Sequence, residues 1–223
     1  MSTTPDRPRV ALIHAVTVAI DPITAAFASL WPEAERLNLL DDSLSVDRTK
    51  AQDLSSGLHD RIGALADYAM AAGAHGILYT CSAFGPGIES VARRLPVPVL
   101  KPNEAMFVEA LDRGTRIGML ATFGPSVTTM EEEFADAARE RRPDATIRTI
   151  LVPGAMDALK GGDADTHNRL IAERAPELAD CDAVMLAHFS TSRAKAAVER
   201  ALGREVLTSP TAAVTALKRA IGA

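Results

Sequence analysis

The chain has 223 residues, is 47% hydrophobic and carries a formal net charge of −5. That length supplies a sizeable core, as one large domain or two half-size ones. No basic patch appears, which argues against a nucleic-acid partner, and the longest apolar runs fall far below membrane-span length. Cys81 and Cys181 do not form a disulfide framework. Residues 1–8 have no apolar signal-peptide core. The expectation is a soluble, cytoplasmic protein with reduced thiols.

Residues 9–16 (RVALIHAV) form a nearly all-apolar run, the pattern of a strand buried on both faces. Asp21 and Pro22 then open a helix to about Trp31, with Asp21 as cap and Pro22 as first helical residue. A strand over 35–40 and a polar loop over 41–47 follow. Leu54, Leu58, Ile62, Leu65 and Met70 give 52–72 helical spacing. Next comes the stretch GILYTCSAFGPG (76–87), a short apolar strand stopping at Cys81, then small residues and a helix over 86–94. Residues 97–100 read as a strand and 103–112 as a helix ended by Gly114.

The order then repeats, with a strand over 116–121, a helix over 126–140 and a strand over 145–152. Two helical stretches lie within 154–178, followed by a strand over 183–187 ending at His188. A helix over 190–202, a strand over 205–207 and a helix over 210–221 complete the chain. Strands alternating with helices indicate α/β architecture with parallel sheets covered by helices, in which ligands bind beyond the carboxyl ends of the strands.

One offset relates the halves: Arg9 to Arg116, Cys81 to His188 and Leu100 to Leu207 are each 107 residues apart. This indicates a pseudo-two-fold repeat of two lobes, residues 1–114 and 115–223, with the last helix able to pack back on the first. Cys81 and His188 are then equivalent positions. If both lobes turn their strand carboxyl ends to a common cleft, a thiol faces an imidazole across it, a proton-transfer pair. A helix amino terminus just after Cys81 is expected to lower its pKa. The thiolate can then be the base, and His188 the acid or thiolate-stabilising group.

With two α/β halves, YTCSAFGPG after a strand in one and VMLAHFSTSR after the matching strand in the other, the chain resembles the aspartate/glutamate racemase superfamily. That group includes aspartate, glutamate and hydantoin racemases, maleate isomerase and arylmalonate decarboxylase. The resemblance implies a two-lobed enzyme, a homo-oligomer, acting on a small anionic substrate without metal or pyridoxal cofactor. Its racemases carry a cysteine at the positions matching Cys81 and His188, so this chain departs from the pattern at His188. The resemblance also implies that the loop holding Thr122 and Ser126 binds a substrate carboxylate.

Backbone N–H groups of Ser82, Ala83, Phe189 and Ser190 can stabilise an enediolate, with added hydrogen bonds from the hydroxyls of Ser82, Ser190 and Thr191. His14, at the end of the first strand, is expected to line the cleft. The leading reading is a cofactor-independent racemase or isomerase working at the carbon next to a carboxylate or carbonyl, with Cys81 and His188 as acid–base pair. A malonate decarboxylase with Cys81 as sole proton donor and a non-catalytic small-acid binding protein are the alternatives. Lys101 can hold an anion and Asp41 and Asp42 an amine, although a solvated lysine and a surface turn are the plainer readings. Cys181 reads as structural. His59, His75 and His167 have no metal-ligand company, and Glu131–Glu133 reads as a solvated helix face.

Overall fold

The structure, a computed structural model, describes residues 7–51 and 54–223. Residues 1–6, most of the opening on which the signal-peptide reading rests, and Gln52, the expected start of the second helix, lie outside the described residues. The chain divides into two compact units. One runs as far as Lys101 and takes back Val214–Ala223; the other is Pro102–Ala213.

The first unit holds β1 (Arg9–His14), α1 (Ile20–Leu30), β2 (Glu35–Leu40), α2 (Ser43–Lys50), α3 (Ser56–Ala71), β3 (Gly76–Tyr79), α4 (Gly85–Arg94) and β4 (Val99–Leu100). The second holds α5 (Glu104–Arg113), β5 (Arg116–Ala121), α6 (Val127–Arg141), β6 (Thr146–Leu151), α7 (Ala155–Lys160), α8 (Ala164–Arg174), β7 (Ala183–Leu186), α9 (Lys195–Leu202) and β8 (Leu207–Thr208). The last helix, α10 (Ser209–Ile221), begins in the second unit and ends in the first.

Each unit carries a four-stranded sheet, ordered β2-β1-β3-β4 in one and β6-β5-β7-β8 in the other, with all described pairs parallel. The pairing registers repeat as well. Val10 faces Gly76 as Ile117 faces Ala183, and Leu78 faces Leu100 as Met185 faces Leu207. The central strands β1, β3, β5 and β7 are the apolar runs, buried almost throughout. Edge strand β2 (ERLNLL) keeps much of its surface, the pattern of a strand with one open side.

Three local expectations need correction. Asp21 sits in the first turn of α1 rather than capping it, because a 3-10 turn over Thr17–Ala19 carries the chain into the helix earlier. The polar loop expected at 41–47 is mostly helix α2. Leu44 is fully buried there, and Arg61 holds Asp41 at 2.6 Å and Asp47 at 2.7 Å, so burial and ion pairs order a segment whose composition reads as a loop. The boundary at 114/115 moves too. Helix α5 belongs to the second unit, since Met106, Phe107 and Ala110 pack with Phe134 of α6 and Met119 of β5, the two phenylalanine rings meeting edge-on at 5.8 Å.

Burying each such ring contributes about 1.5–3 kcal/mol. In the first unit, Gly76 opens β3 where an added Cβ would lie 2.7 Å from Ile221 and 3.1 Å from Leu217, so a glycine lets the end of α10 close over the sheet. Among the described residues, no helix is long and apolar enough to cross a membrane.

Candidate functional site

Polar side chains gather at the carboxyl ends of β1 and β3 in the first unit. His14 ends β1 and is fully buried. Its Nδ1 lies 2.8 Å from the Thr80 hydroxyl and its Nε2 lies 3.0 Å from Asn38 Oδ1. Burial holds the ring below its usual pKa, so it is neutral. The Thr80 hydroxyl also lies within donating reach of Ile13 O, at 3.3 Å. Both ring nitrogens are therefore engaged within this unit.

Cys81 follows β3 in extended conformation and caps a 3-10 turn, Ser82–Phe84, that runs into α4. The residue keeps part of its surface, but burial is the largest influence on its thiol and raises the pKa above the ordinary 9.0. The Ala83 N–H and the Arg48 guanidinium pull the other way without prevailing. The expectation of a lowered thiol pKa is thus reversed: loss of water outweighs the local dipoles. Arg48, from α2, donates through Nε to Ala83 O at 3.1 Å and through Nη1 to Ala51 O at 2.9 Å. It braces the turn that carries Cys81.

The second unit places His188 at the corresponding end of β7. It is the one non-glycine residue among those described with a left-handed backbone, at φ 70°. That conformation costs on the order of 1–2 kcal/mol for an L-residue, and histidine tolerates it better than most. Its Nε2 meets the Ser126 hydroxyl at 2.6 Å, and Ser126 Oγ in turn donates to Phe123 O at 3.0 Å. The Phe123 ring stands edge-on to the imidazole, with centroids 6.4 Å apart. Nδ1 is buried without a hydrogen-bond partner. Burial lowers the pKa to about 4, countered only partly by the Ala187 carbonyl, so the ring is neutral at pH 7.

Phe189, Ser190 and Thr191 follow in a buried turn, and the hydroxyls of Thr191 and Thr122 bond at 3.1 Å. The structure thus gathers His14, Cys81, Ser82 and Ala83 in one unit, and Thr122, Ser126, His188, Phe189, Ser190 and Thr191 in the other. Among the remaining residues, Lys101 pairs with Glu89 at 2.8 Å, and Asp41 is committed to Arg61 and Ser43. Cys181 is buried. His75 accepts the Arg9 N–H at 3.1 Å. His167 is fully buried, with Nδ1 2.9 Å from Asn168 Oδ1. Glu133 departs from the solvated face expected of it, since both its carboxylate oxygens are buried. No group of three or more His, Cys, Asp or Glu side chains able to hold a metal occurs among the described residues.

The sequence matches the Asp/Glu/hydantoin racemase family over residues 15–217. The chain belongs to the Asp/Glu/hydantoin racemase family. Its fold is similar to that of allantoin racemase from Klebsiella pneumoniae, at a TM-score of 0.73 and 18% identity, covering 96% of this chain and 88% of that one. A glutamate racemase isoform from Bacillus anthracis is similar at a TM-score of 0.73 and 10% identity, covering 95% and 82%. A mutant of arylmalonate decarboxylase in a sulfate-associated form is similar at a TM-score of 0.65 and 20% identity, covering 96% and 94%. Among curated proteins none matches the sequence.

Within this racemase-family chain, four residues near the candidate positions escaped sequence reasoning: Asn38, Arg48, Thr80 and Phe123. Thr80 was legible as the neighbour of Cys81. Asn38 lies between Leu37 and Leu39 on β2, which sets its side chain on the opposite face from theirs. Arg48 carried no such signal, because its contact with Ala83 spans 35 residues of sequence.

Proposed function

We propose that this member of the racemase family is a cofactor-independent racemase or isomerase. It moves a proton at the carbon next to a carboxylate or related carbonyl of a small anionic substrate, and Cys81 and His188 serve opposite faces of that carbon. One observation carries the reading: the two residues occupy the same position, just beyond the equivalent central strand, in two sheets of identical order and register. Ligands of open parallel sheets bind at that end.

Protonation states support a division of labour. The neutral imidazole of His188 is the base, and the protonated Cys81 thiol is the acid. His188 takes the α-proton, and the electrons of the C–H bond pass into the enediolate. Cys81 then gives its proton to the other face, leaving a thiolate and an imidazolium. That pair of states is the one required for the reverse reaction; otherwise proton exchange with water resets both. The N–H groups of Ser82, Phe189 and Ser190 stabilise the enediolate, while Ala83 N–H is directed at the sulfur. The family's pattern also makes a homo-oligomer the expected assembly.

A second reading, decarboxylation of a substituted malonate, is favoured by the raised thiol pKa, since the enediolate left by carbon dioxide loss needs only a protonated donor. The test is α-proton exchange followed by NMR in deuterated water across a panel of amino, hydroxy and cyclic amide acids, beside carbon dioxide release from malonates. Cys81→Ser is expected to lower the observed reaction by about 10²-fold or more with the fold intact. Full activity in that variant refutes the assignment.

A further inference from the structure

Three polar side chains form a row across the first sheet. His14 Nδ1 lies 2.8 Å from Thr80 Oγ1, and His14 Nε2 lies 3.0 Å from Asn38 Oδ1. Leu12 is paired with both Asn38 and Leu78, so strand alternation puts Asn38, His14 and Thr80 on one face. The row runs from the exposed Asn38 on edge strand β2, through the fully buried His14, to the residue before Cys81. Cys81 itself turns to the opposite face and packs with the cluster of Ile77 and Tyr79. The row therefore stands behind the thiol.

The second unit keeps the backbone of this arrangement without its side chains. Ala121 stands where the first unit has His14, Ala187 where it has Thr80 and Thr149 where it has Asn38. The Thr149 hydroxyl is buried with no hydrogen-bond partner. At the very next residue the two copies part. The Thr80 N–H donates to Ile13 O at 3.0 Å, and its hydroxyl is held between His14 and the same carbonyl. The chain then runs on extended through Cys81, at φ −126° and ψ 125°. The Ala187 N–H makes the matching bond, to Leu120 O at 2.9 Å, but alanine offers no hydroxyl, and His188 turns to φ 70°. A buried polar network whose members are paired rigidifies the backbone around it.

We propose that the Asn38–His14–Thr80 row holds Cys81 in extended backbone and so sets the direction in which its thiol leaves β3. His14 and Thr80 are then positioning residues that act through the chain at Cys81, and His14 does not hold substrate. The consequence for turnover rests on the acid–base reading above; the hold on the Cys81 backbone does not.

Carbon NMR of the full chain, labelled at cysteine, reads the backbone at Cys81 from its Cα and Cβ shifts and needs no substrate, with Cys181 as internal control. In the wild type Cys81 is expected at extended-backbone shifts; any other position overturns the proposal. Thr80→Val keeps the branched shape, removes the hydroxyl and is expected to move the Cys81 signals away from those values, while Thr80→Ser keeps them. Unmoved signals in Thr80→Val, or an equal movement in Thr80→Ser, overturn the proposal. Asn38→Ala cuts the row at its exposed end and is expected to move the same signals by less. If the valine variant fails to fold, unmoved Cys81 signals in Asn38→Ala overturn it.

For whichever acid exchanges its α-proton, Thr80→Val is expected to lower kcat by about tenfold or more, since a misplaced reacting group costs up to ~10²-fold, with KM little changed. A raised KM at unchanged kcat instead makes the row part of the substrate site and overturns the proposal. The two readings fail separately. If Cys81→Ser leaves exchange intact while Thr80→Val still moves the Cys81 signals, the acid–base role of Cys81 falls and the hold on its backbone stands.

Discussion

The two units share sheet order, register and a titratable side chain just beyond one central strand, but they surround that side chain differently. In the first, Cys81 lies in extended backbone, and the nearby histidine, His14, has both ring nitrogens bonded within the unit. In the second, His188 takes the equivalent place at φ 70°, and one of its ring nitrogens stays unpartnered. Burial acts on both groups with opposite charge consequences: it keeps the thiol protonated and the imidazole unprotonated. A repeated backbone thus carries a protonated thiol in one copy and a neutral imidazole in the other. Both ring nitrogens of His14 have partners, whereas only Nε2 of His188 meets a side chain, the Ser126 hydroxyl.

The largest expected effect comes from altering the residue that distinguishes the units. His188→Gln keeps a polar side chain but cannot titrate, and it is expected to lower α-proton exchange by about 10²–10⁴-fold. His188→Cys makes the two positions alike and is expected to restore racemisation at least tenfold over the glutamine variant, on the order of the smaller acid–base contributions. Equal inactivity of both variants in deuterated water would break the equivalence drawn between Cys81 and His188.

A smaller effect lies in stability. The His188 pKa falls from 6.5 to about 4 on folding, so the unfolded chain binds the proton more readily. The resulting stabilisation is complete above pH 6.5 and is lost as the pH drops through about 4. It amounts to at most about 3 kcal/mol. Denaturant unfolding of wild type and His188→Gln at pH 4.5 and 7.5 is expected to show a weaker acid loss in the variant. His14 and His167 are also depressed and contribute in the same direction in both proteins. Parallel losses would show that His188 is not buried neutral.

The smallest effect tests the first unit. Arg48→Gln removes the nearby positive charge and loosens the brace on Ala83, so the Cys81 thiol is expected to rise further in pKa. Alkylation at pH 8 should slow roughly two- to fivefold, with Cys181, buried in the second unit, as the internal control. An unchanged rate would leave Arg48 with a structural role alone.

Much of this architecture is legible in the linear chain because buried parallel strands are written as short apolar runs. RVALIH, GILY, RIGMLA and AVML mark β1, β3, β5 and β7, and their common 107-residue spacing announces the duplication. Cys81 and His188 were visible for the same reason, each following one of those runs. Composition misread the segment 41–47, most of which lies in helix α2, since Leu44 and the ion pairs of Arg61, not local propensity, order it. Helix α5 was assigned to the wrong unit because its Phe107 finds its partner ring in Phe134, a preference that no local pattern encodes.

Periodicity and spacing by themselves determined the alternation of strands and helices, the duplicated α/β plan and the equivalent places of Cys81 and His188, because those depend on which residues are apolar and how far apart they fall. Folding alone decided the direction in which burial moves Cys81 and His188, the contact of Ser126 with the imidazole and the approach of Arg48 to the thiol's turn. Those depend on how much water is removed and on which distant groups arrive within hydrogen-bond reach, and neither is written in sequence separation.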